Sequence, residues 1–262
     1  MDEAPWGYTR VKAQRQLTIL EILQHERTVE IARLSQDLNA SRVTIRRDLL
    51  ELEHQGLVRA TRGGAILNES ATYEPAYLAK MGHAKDEKVR IARAAAAMVL
   101  PGDTLLLDAG TTTAALAEAL AHTRDITVIS NSLTIANILT RNRAARFIMI
   151  GGTYRELSQA FFGPKAEEAL RSIRVDRAFI GTEGMEPERG LEVPDEGDAS
   201  LKRAMIHCAR EVVVVADHTK FALVRLHTFA TWSMVGRLIT GCEASPEIIR
   251  RIQDAGVDVV LA

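Results

Sequence analysis

The sequence predicts an α/β protein in two parts: an N-terminal winged helix-turn-helix over residues 1–67, then a mainly parallel-sheet, Rossmann-like domain over residues 88–262. Three observations lead to this fold class. Short amphipathic helices precede a hairpin with a Gly-Gly pair, a polar bridge opens a linker predicted over 68–87, and apolar runs then alternate with helical stretches. The runs expected to form the parallel strands are Thr104–Leu107, Ile126–Ile129, Phe147–Ile150, Ala178–Ile180, Val212–Ala216, Leu238–Thr240 and Val257–Leu261.

Composition and charge exclude several classes of protein. The chain carries 33 Lys and Arg against 34 Asp and Glu, a net charge of −1, which argues against a protein that coats DNA by charge alone. A local nucleic-acid site is still compatible with this balance, because charge acts through its distribution over the surface. The opening residues lack the order of a secretory signal, the longest apolar run is Ala94–Leu100, and Cys208 and Cys242 lack metal-ligand spacing. We therefore expect a cytoplasmic protein with no membrane partner, no metal site and no cofactor.

The spacing of apolar residues predicts three helices in the N-terminal part. The first spans about Val11–His25, and Thr28 is expected to cap the second. After a two-residue turn, Ser41 caps a third helix on which Ile45 and Leu49 face inward. Two short helices joined by so small a turn form a helix-turn-helix.

The outer face of the third helix carries residue types that read DNA. Arginine donates two hydrogen bonds to guanine in the major groove, and threonine and valine contact thymine methyl groups. The following hairpin is expected to form a wing whose arginines reach phosphates. The candidate DNA-binding residues are Ser41, Arg42, Val43, Thr44, Arg46 and Arg47 on the helix, and Arg59 and Arg62 on the wing. A small interaction domain with a solvated arginine face is the alternative that helical spacing alone leaves open.

A turn rich in glycine and threonine follows the first apolar strand of the second part. After this strand the chain continues Asp108-Ala109-Gly110-Thr111-Thr112-Thr113 into a helix. Free backbone N–H groups at a helix start bind anions such as phosphate, and glycine lets a ligand approach the backbone. No lysine follows at P-loop spacing, so nucleotide hydrolysis is not indicated. A plain helix cap with spare threonines is an equally open interpretation.

Small polar residues also follow the other strands. Because parallel strands end at the same edge of a sheet, these residues predict one polar crevice. The candidate effector-binding residues are Asp108, Gly110, Thr111, Thr112, Thr113, Ser130, Asn131, Ser132, Gly151, Gly152, Gly181, Glu183, Lys202, Asp217 and Lys220. For the two lysines a solvated surface position is the alternative, and the two aspartates could instead cap helices.

Two sets of motifs carry a resemblance to a known family. The segment 41–53 (SRVTIRRDLLELE), with the glycines of the following hairpin, closely resembles the DNA-binding domain of the DeoR family of bacterial repressors. The segments 108–113 (DAGTTT), 130–132 (SNS), 202–205 (KRAM) and 216–221 (ADHTKF) look like that family's C-terminal sensor domain.

This resemblance implies the function. It implies a sensor fold similar to ribose-5-phosphate isomerase, and a repressor of a carbohydrate or polyol catabolic operon. The expected partners are double-stranded operator DNA and a phosphorylated sugar or polyol effector that releases the protein from it. Because operators mirror the two-fold symmetry of the proteins that bind them, we also expect a homo-oligomer, either a dimer or a tetramer.

The chain departs from the family pattern at three places, and an enzyme remains the rival interpretation. Ser130 stands where the family often has Thr, a change that keeps the hydroxyl. Asp198 stands where the family often has Glu and Gly241 where an Asp is expected, and these two departures leave the effector's identity open. The rival is an aldose–ketose phosphate isomerase with an appended N-terminal domain, which needs a carboxylate base beside its substrate. Because 181–184 (GTEG) replaces the isomerases' Asp-rich motif, we expect no enzyme.

Overall fold

The computed structural model describes residues 12, 15, 16, 18–20, 22, 23, 26, 28–54, 58–67, 74, 76–142 and 145–262. The chain divides into two compact units, Met1–His83 and Ala84–Ala262, and each is described by itself. Among the described residues, no helix is long and apolar enough to cross a membrane. Part of the predicted first helix and most of the polar bridge lie outside the described residues, so the predicted limits 1–67, 68–87 and 88–262 stay predictions.

The first unit is a helix-turn-helix with a small antiparallel sheet. The described residues between 12 and 26 are helical. The elements that follow are β1 (Thr28–Glu30), α1 (Ile31–Asp37), α2 (Arg42–His54), β2 (Val58–Thr61), β3 (Gly64–Leu67) and α3 (Tyr77–Met81). The strand order is β1-β3-β2, and the core is built from Ile19, Leu20, Leu23, Val29, Leu34, Ile45, Leu49, Leu52, Val58 and Ala65. The wing hairpin is therefore present, with a third strand added to it.

The third strand of this sheet corrects one expectation. Thr28 does not cap α1, because it lies in β1 and pairs with Ile66, whereas Glu30 precedes the helix. Pairing with β1 also explains a glycine in the wing: a Cβ on Gly64 would lie 1.8 Å from the backbone oxygen of Val29. Only a residue without a side chain lets the two strands come this close.

The second unit is built on a seven-stranded, entirely parallel sheet, as the α/β fold class predicts. The strands are β4 (Thr104–Leu107), β5 (Thr127–Ser130), β6 (Arg146–Met149), β9 (Val175–Ile180), β12 (Ala209–Val215), β14 (Arg237–Thr240) and β15 (Asp258–Leu261), in the order β15-β14-β12-β9-β4-β5-β6. Every predicted run overlaps one of these strands. Helices cover both faces of such a sheet, which is why its strands are continuous apolar runs rather than alternating ones.

The helices and smaller sheets complete this unit. The helices are α4 (Lys85–Ala96), α5 (Thr111–Ala119), α6 (Leu133–Asn142), α7 (Pro164–Arg171), α8 (Glu196–Cys208) and α9 (Pro246–Asp254), with 3-10 turns at His218–Ala222 and Trp232–Met234. The hairpin of β7 (Thr153–Arg155) and β8 (Ala160–Phe162), and the antiparallel sheet of β10 (Gly184–Glu186), β11 (Gly190–Val193) and β13 (His227–Ala230), were not anticipated from the sequence.

Candidate functional site

The recognition-helix candidate α2 begins at a side-chain cap, as the sequence predicts. The Oγ of Ser41 accepts a hydrogen bond from the backbone N–H of Thr44 at 3.1 Å, which satisfies one of the donors left free at a helix start. Ile45 and Leu49 are fully buried, so the opposite face of α2 is turned to solvent.

The solvent face of α2 is basic at its leading end. Its exposed residues there are Arg42, Val43, Arg46 and Arg47, and Thr44 is half-buried. Val43 is 79% exposed, and the guanidinium of Arg47 lies 3.6 Å from Glu51 one turn further on. Asp48 is buried instead, and its carboxylate accepts two hydrogen bonds from Arg15, at 2.5 and 3.2 Å. The acidic residue closest to the leading end therefore adds no charge to the exposed surface.

The wing is fastened to the end of α2. The backbone N–H of Ala60 donates to Oε1 of Glu53 at 2.7 Å. Arg59 and Arg62, on either side of this contact, are exposed. This hydrogen bond connects the wing, which carries both arginines, to the end of α2.

In the second unit, the strand order reverses its direction of growth between β4 and β9, which makes this place a topological switch point. From β4 the chain adds β5 and β6 on one side, and from β9 it adds β12, β14 and β15 on the other. Ligands of open parallel sheets bind at such a reversal, beyond the carboxyl ends of the strands. Asp108 follows β4 and Gly181 follows β9, and Oδ2 of Asp108 accepts the N–H of Gly181 at 3.0 Å. These two candidates therefore flank the switch point.

Lys202 reaches the same point from α8. Its ammonium contacts the Asp108 carboxylate, donates to the carbonyl oxygen of Gly181 at 3.1 Å and lies 3.7 Å from Oδ1 of Asp198. Burial lowers the pKa of Lys202, but the carboxylates of Asp108 and Asp198 outweigh burial, so its pKa is raised. The alternative of a solvated surface lysine is wrong here, because Lys202 is only 2% exposed.

The glycine- and threonine-rich turn forms the start of α5. Gly110 occupies the cap position and no side chain caps the helix, which is compatible both with the anion site and with the alternative of a plain helix cap with spare threonines. The hydroxyl of Thr113 donates to the carbonyl oxygen of Gly110 at 3.1 Å, and Thr112 and Thr113 are buried. Thr111 is half-buried, so the accessible groups here are its side chain and the N–H groups that have no partner within the helix.

The segment Ser130–Ser132 is fully buried and serves the scaffold. Ser130 accepts from the N–H of Ser132 at 3.0 Å, and Ser132 accepts from the N–H of Ile135 at the start of α6. Asn131 fastens the β7–β8 hairpin by exchanging hydrogen bonds with Phe161, at 2.9 and 3.0 Å. These three predicted effector contacts are therefore buried in this structure and not open to a ligand.

The remaining candidates differ in their exposure to solvent. Gly151 and Gly152 are exposed, and the ammonium of Lys220 lies 3.2 Å from Oε2 of Glu183. Asp217 is buried and accepts the N–H of Thr219 at 3.2 Å, which confirms the capping alternative for this residue. Lys88, which sequence reasoning missed, lies 3.8 Å from Asp217 and enters from α4, 129 positions earlier, so no local signal could have revealed it.

The sequence matches two family models. The DeoR-like helix-turn-helix domain matches residues 15–71, and the DeoR C-terminal sensor domain matches residues 83–241. The chain belongs to the DeoR family. This DeoR-family chain is 38% identical over 244 residues to the transcriptional repressor AccR of Agrobacterium fabrum, covering 90% of this chain and 95% of the relative.

The DeoR-family chain also resembles other proteins. It is 32% identical over 251 residues to a putative aga operon transcriptional repressor of Escherichia coli, covering 95% of this chain and 93% of that protein. Among solved structures, ribose 5-phosphate isomerase A of Methanocaldococcus jannaschii is similar over 53% of this chain and 55% of that one, at 19% identity and a TM-score of 0.40.

Proposed function

We propose that this protein is a transcriptional repressor of a carbohydrate or polyol catabolic operon, released from its operator by a phosphorylated sugar or a related phosphorylated intermediate. The single observation that supports DNA reading best is the leading turn of α2, which presents Val43 and its neighbouring arginines to solvent while Asp48 is turned inward onto Arg15. A protruding basic helix of this kind fits the major groove, and an inert interaction domain needs no such concentration of arginine.

Replacing Arg47 with Ala tests this part of the proposal. We expect operator affinity to fall by about 1–3 kcal/mol, with a smaller loss on random DNA, because arginine contributes base contacts as well as charge. The operator would first be selected from a random-sequence DNA pool with the wild-type protein. Arg141, an exposed arginine of α6, supplies the matched control Arg141→Ala, which should leave both affinities unchanged. An equal loss on operator and random DNA would show that Arg47 contacts phosphate only.

The effector is proposed to be an anion bound where α5 begins. Its phosphate would meet the free N–H groups and the positive dipole end of this nine-residue helix, beside the switch point at Asp108 and Gly181. Lys220 is a further cation on the segment after β12, and it would have to exchange its Glu183 partner for the phosphate. The buried pair of Asp108 and Lys202 would shape the floor of this site.

A pair of matched variants tests the anion site. Thr111→Glu places a carboxylate at the first position of α5, where acidic residues stabilise a helix but repel a phosphate. Thr111→Gln has nearly the same shape without the charge. Thermal-shift measurements against phosphorylated sugars and polyols, each beside its unphosphorylated form, should show stabilisation of wild type and Thr111→Gln by a phosphorylated compound and none of Thr111→Glu. Equal responses of the two variants would remove the start of α5 from the site.

Release of DNA requires that the effector bind one arrangement of the protein better than another. The effector can shift the equilibrium only by this difference in affinity, so it should weaken operator binding by the same factor as operator weakens effector binding. We propose that the DNA-binding form is a cytoplasmic homo-oligomer, since half-sites related by two-fold symmetry need two helices of the α2 type. Light scattering with and without operator measures the number of chains.

We assign the protein no catalytic role. Isomerisation needs a carboxylate poised to take a proton, whereas the carboxylates at the crevice each hold a lysine, Asp108 with Lys202 and Glu183 with Lys220. Incubation of the pure protein with ribose 5-phosphate, with ketose formation as the readout, tests this assignment. Substantial turnover would restore the enzyme hypothesis.

A further inference from the structure

Three metal-ligating side chains from separate elements converge at one edge of the second unit. Glu87 lies in the first turn of α4, His218 begins the 3-10 turn after β12, and Glu243 lies in the loop after β14. One ligand atom of each lies within 4.8 Å of the other two. This Glu–His–Glu cluster is separate from the pair of Asp108 and Lys202.

Backbone N–H groups and the guanidinium of Arg90 hold the two carboxylates of the cluster in place. Oε1 of Glu87 accepts the backbone N–H groups of His218 and Gly241, at 2.8 and 3.1 Å, while Oε2 lies 2.8 Å from Nδ1 of His218. Oε1 of Glu243 accepts from Arg90 at 2.5 Å. Oε2 of Glu87 thus faces the imidazole of His218, and Oε2 of Glu243 lies 3.7 Å from the thiol of Cys242. In each carboxylate the other oxygen accepts hydrogen bonds from N–H donors, as the carboxylates that ligate metal ions commonly do.

Gly241 makes this convergence possible. A Cβ at this position would lie 2.1 Å from Oε1 of Glu87 and 2.4 Å from Oε2 of Glu243, so any side chain would push the two carboxylates apart. Gly241 is also the position where the resemblance to the family led us to expect Asp. Here Glu243 brings a carboxylate to the space beside Gly241, and the arrangement is therefore a property of this chain.

A second histidine–glutamate pair in this unit serves as a comparison for the pair of His218 and Glu87. Nδ1 of His227 lies 2.9 Å from Oε2 of Glu196, whose side chain is exposed. At His218, by contrast, one carboxylate is buried and a second approaches from another element. Two carboxylates this close repel each other, and a cation between them removes the repulsion.

We propose that Glu87, His218 and Glu243 bind one divalent transition-metal ion, with Zn²⁺ as the model ion. The imidazole nitrogen favours Zn²⁺ and its neighbours over Mg²⁺ and Ca²⁺, which prefer oxygen-only ligands. The side chains of His218 and Glu243 are 38% and 42% exposed, so the ion enters from solvent and water completes its coordination. Bound there, it ties α4, the turn that carries Lys220 and the β14–α9 loop together.

The test uses the full-length protein, dialysed against a chelator and titrated with Zn²⁺ or Mg²⁺ in a calorimeter. We expect one Zn²⁺ per chain, no comparable Mg²⁺ binding, and a higher melting temperature with Zn²⁺. His218→Ala and Glu243→Gln, both at partly exposed positions, should each weaken Zn²⁺ binding more than about tenfold. The matched control His227→Ala should bind as wild type does.

Two results would overturn the proposal. One is Zn²⁺ affinity that is unchanged in both His218→Ala and Glu243→Gln. The other is binding that is lost in Cys242→Ser but kept in His218→Ala, because the exposed thiol, 3.7 Å from Oε2 of Glu243, would then be the ligand in place of His218. Neither result depends on DNA or on the effector, so failure here is distinguishable from failure of the repressor proposal.

Discussion

Replacing Lys202 with Met tests whether the buried ion pair of Lys202 and Asp108 stabilises the second unit. Lys202 and Asp108 are 2% and 1% exposed, and the ammonium has Asp108, Asp198 and the carbonyl of Gly181 as partners. Methionine keeps an unbranched side chain of similar length and removes the charge, its hydrogen bonds and the contact of the ammonium with the Phe229 ring, whose centroid lies 5.5 Å away. The variant therefore isolates the electrostatic contribution.

The expected loss of unfolding free energy depends on Asp108, whose carboxylate stays buried when Lys202 is replaced. Removing one partner of a buried ion pair costs about 3–5 kcal/mol, because the other charge is left buried and uncompensated. Asp108 keeps the N–H groups of Ala109 and Gly181, at 2.8 and 3.0 Å, so the lower end of this range applies. About 3 kcal/mol corresponds to a fall in melting temperature of about 6–12 °C for a domain of this size. Adding Asp108→Asn should recover part of the loss.

The pH dependence of this loss has a definite sign. The pKa of Lys202 is raised in the folded protein, because its carboxylate neighbours outweigh its burial. A raised lysine pKa contributes stability that is complete below the unfolded value of about 10.4 and disappears only as pH rises through the folded value. The difference in unfolding free energy between wild type and Lys202→Met should therefore be constant between about pH 6 and pH 9.

The assay is urea unfolding followed by the fluorescence of Trp232, which is buried in the second unit. The chain has two tryptophans, so a Trp6→Phe background makes this signal specific. Lys165→Met, at an exposed position, is the matched control and should change stability by no more than about 0.5 kcal/mol. A loss below about 1 kcal/mol, or one that varies steeply near neutral pH, would refute the reasoning.

Two further predictions concern the first unit. Gly64→Ala should destabilise it by about 1–3 kcal/mol in thermal unfolding, because the new Cβ would meet the Val29 oxygen at 1.8 Å. Gly151→Ala has open space around its Cβ and should be nearly neutral, and equal losses in the two variants would contradict this account. Ser41→Ala should cost about 1 kcal/mol of unfolding free energy, because the N–H of Thr44 loses its acceptor, and an unchanged midpoint would show that water replaces the cap.

Local patterns alone predicted much of this protein. Helical spacing placed Ile45 and Leu49 in the core and the arginines of α2 outside, because a side chain's direction on a helix depends only on its position in the turn. Every strand of the parallel sheet was visible as a short apolar run, because strands covered on both faces carry apolar residues continuously. The three-residue strand β1 was not predicted, because it is too short to show an alternating pattern.

The tertiary structure decided which of these pieces meet. The strand order places β4 beside β9, so Asp108 at the end of β4 lies next to Gly181 at the end of β9. Asp108 there forms a buried ion pair with Lys202, which is 94 positions away in the sequence. The tertiary structure also turned Ser130–Ser132 from surface candidates into the support of a hairpin, and brought Glu87, His218 and Glu243 together. Periodicity determines the direction of each side chain within its own element, whereas contacts between elements depend on long-range packing that no local spacing records.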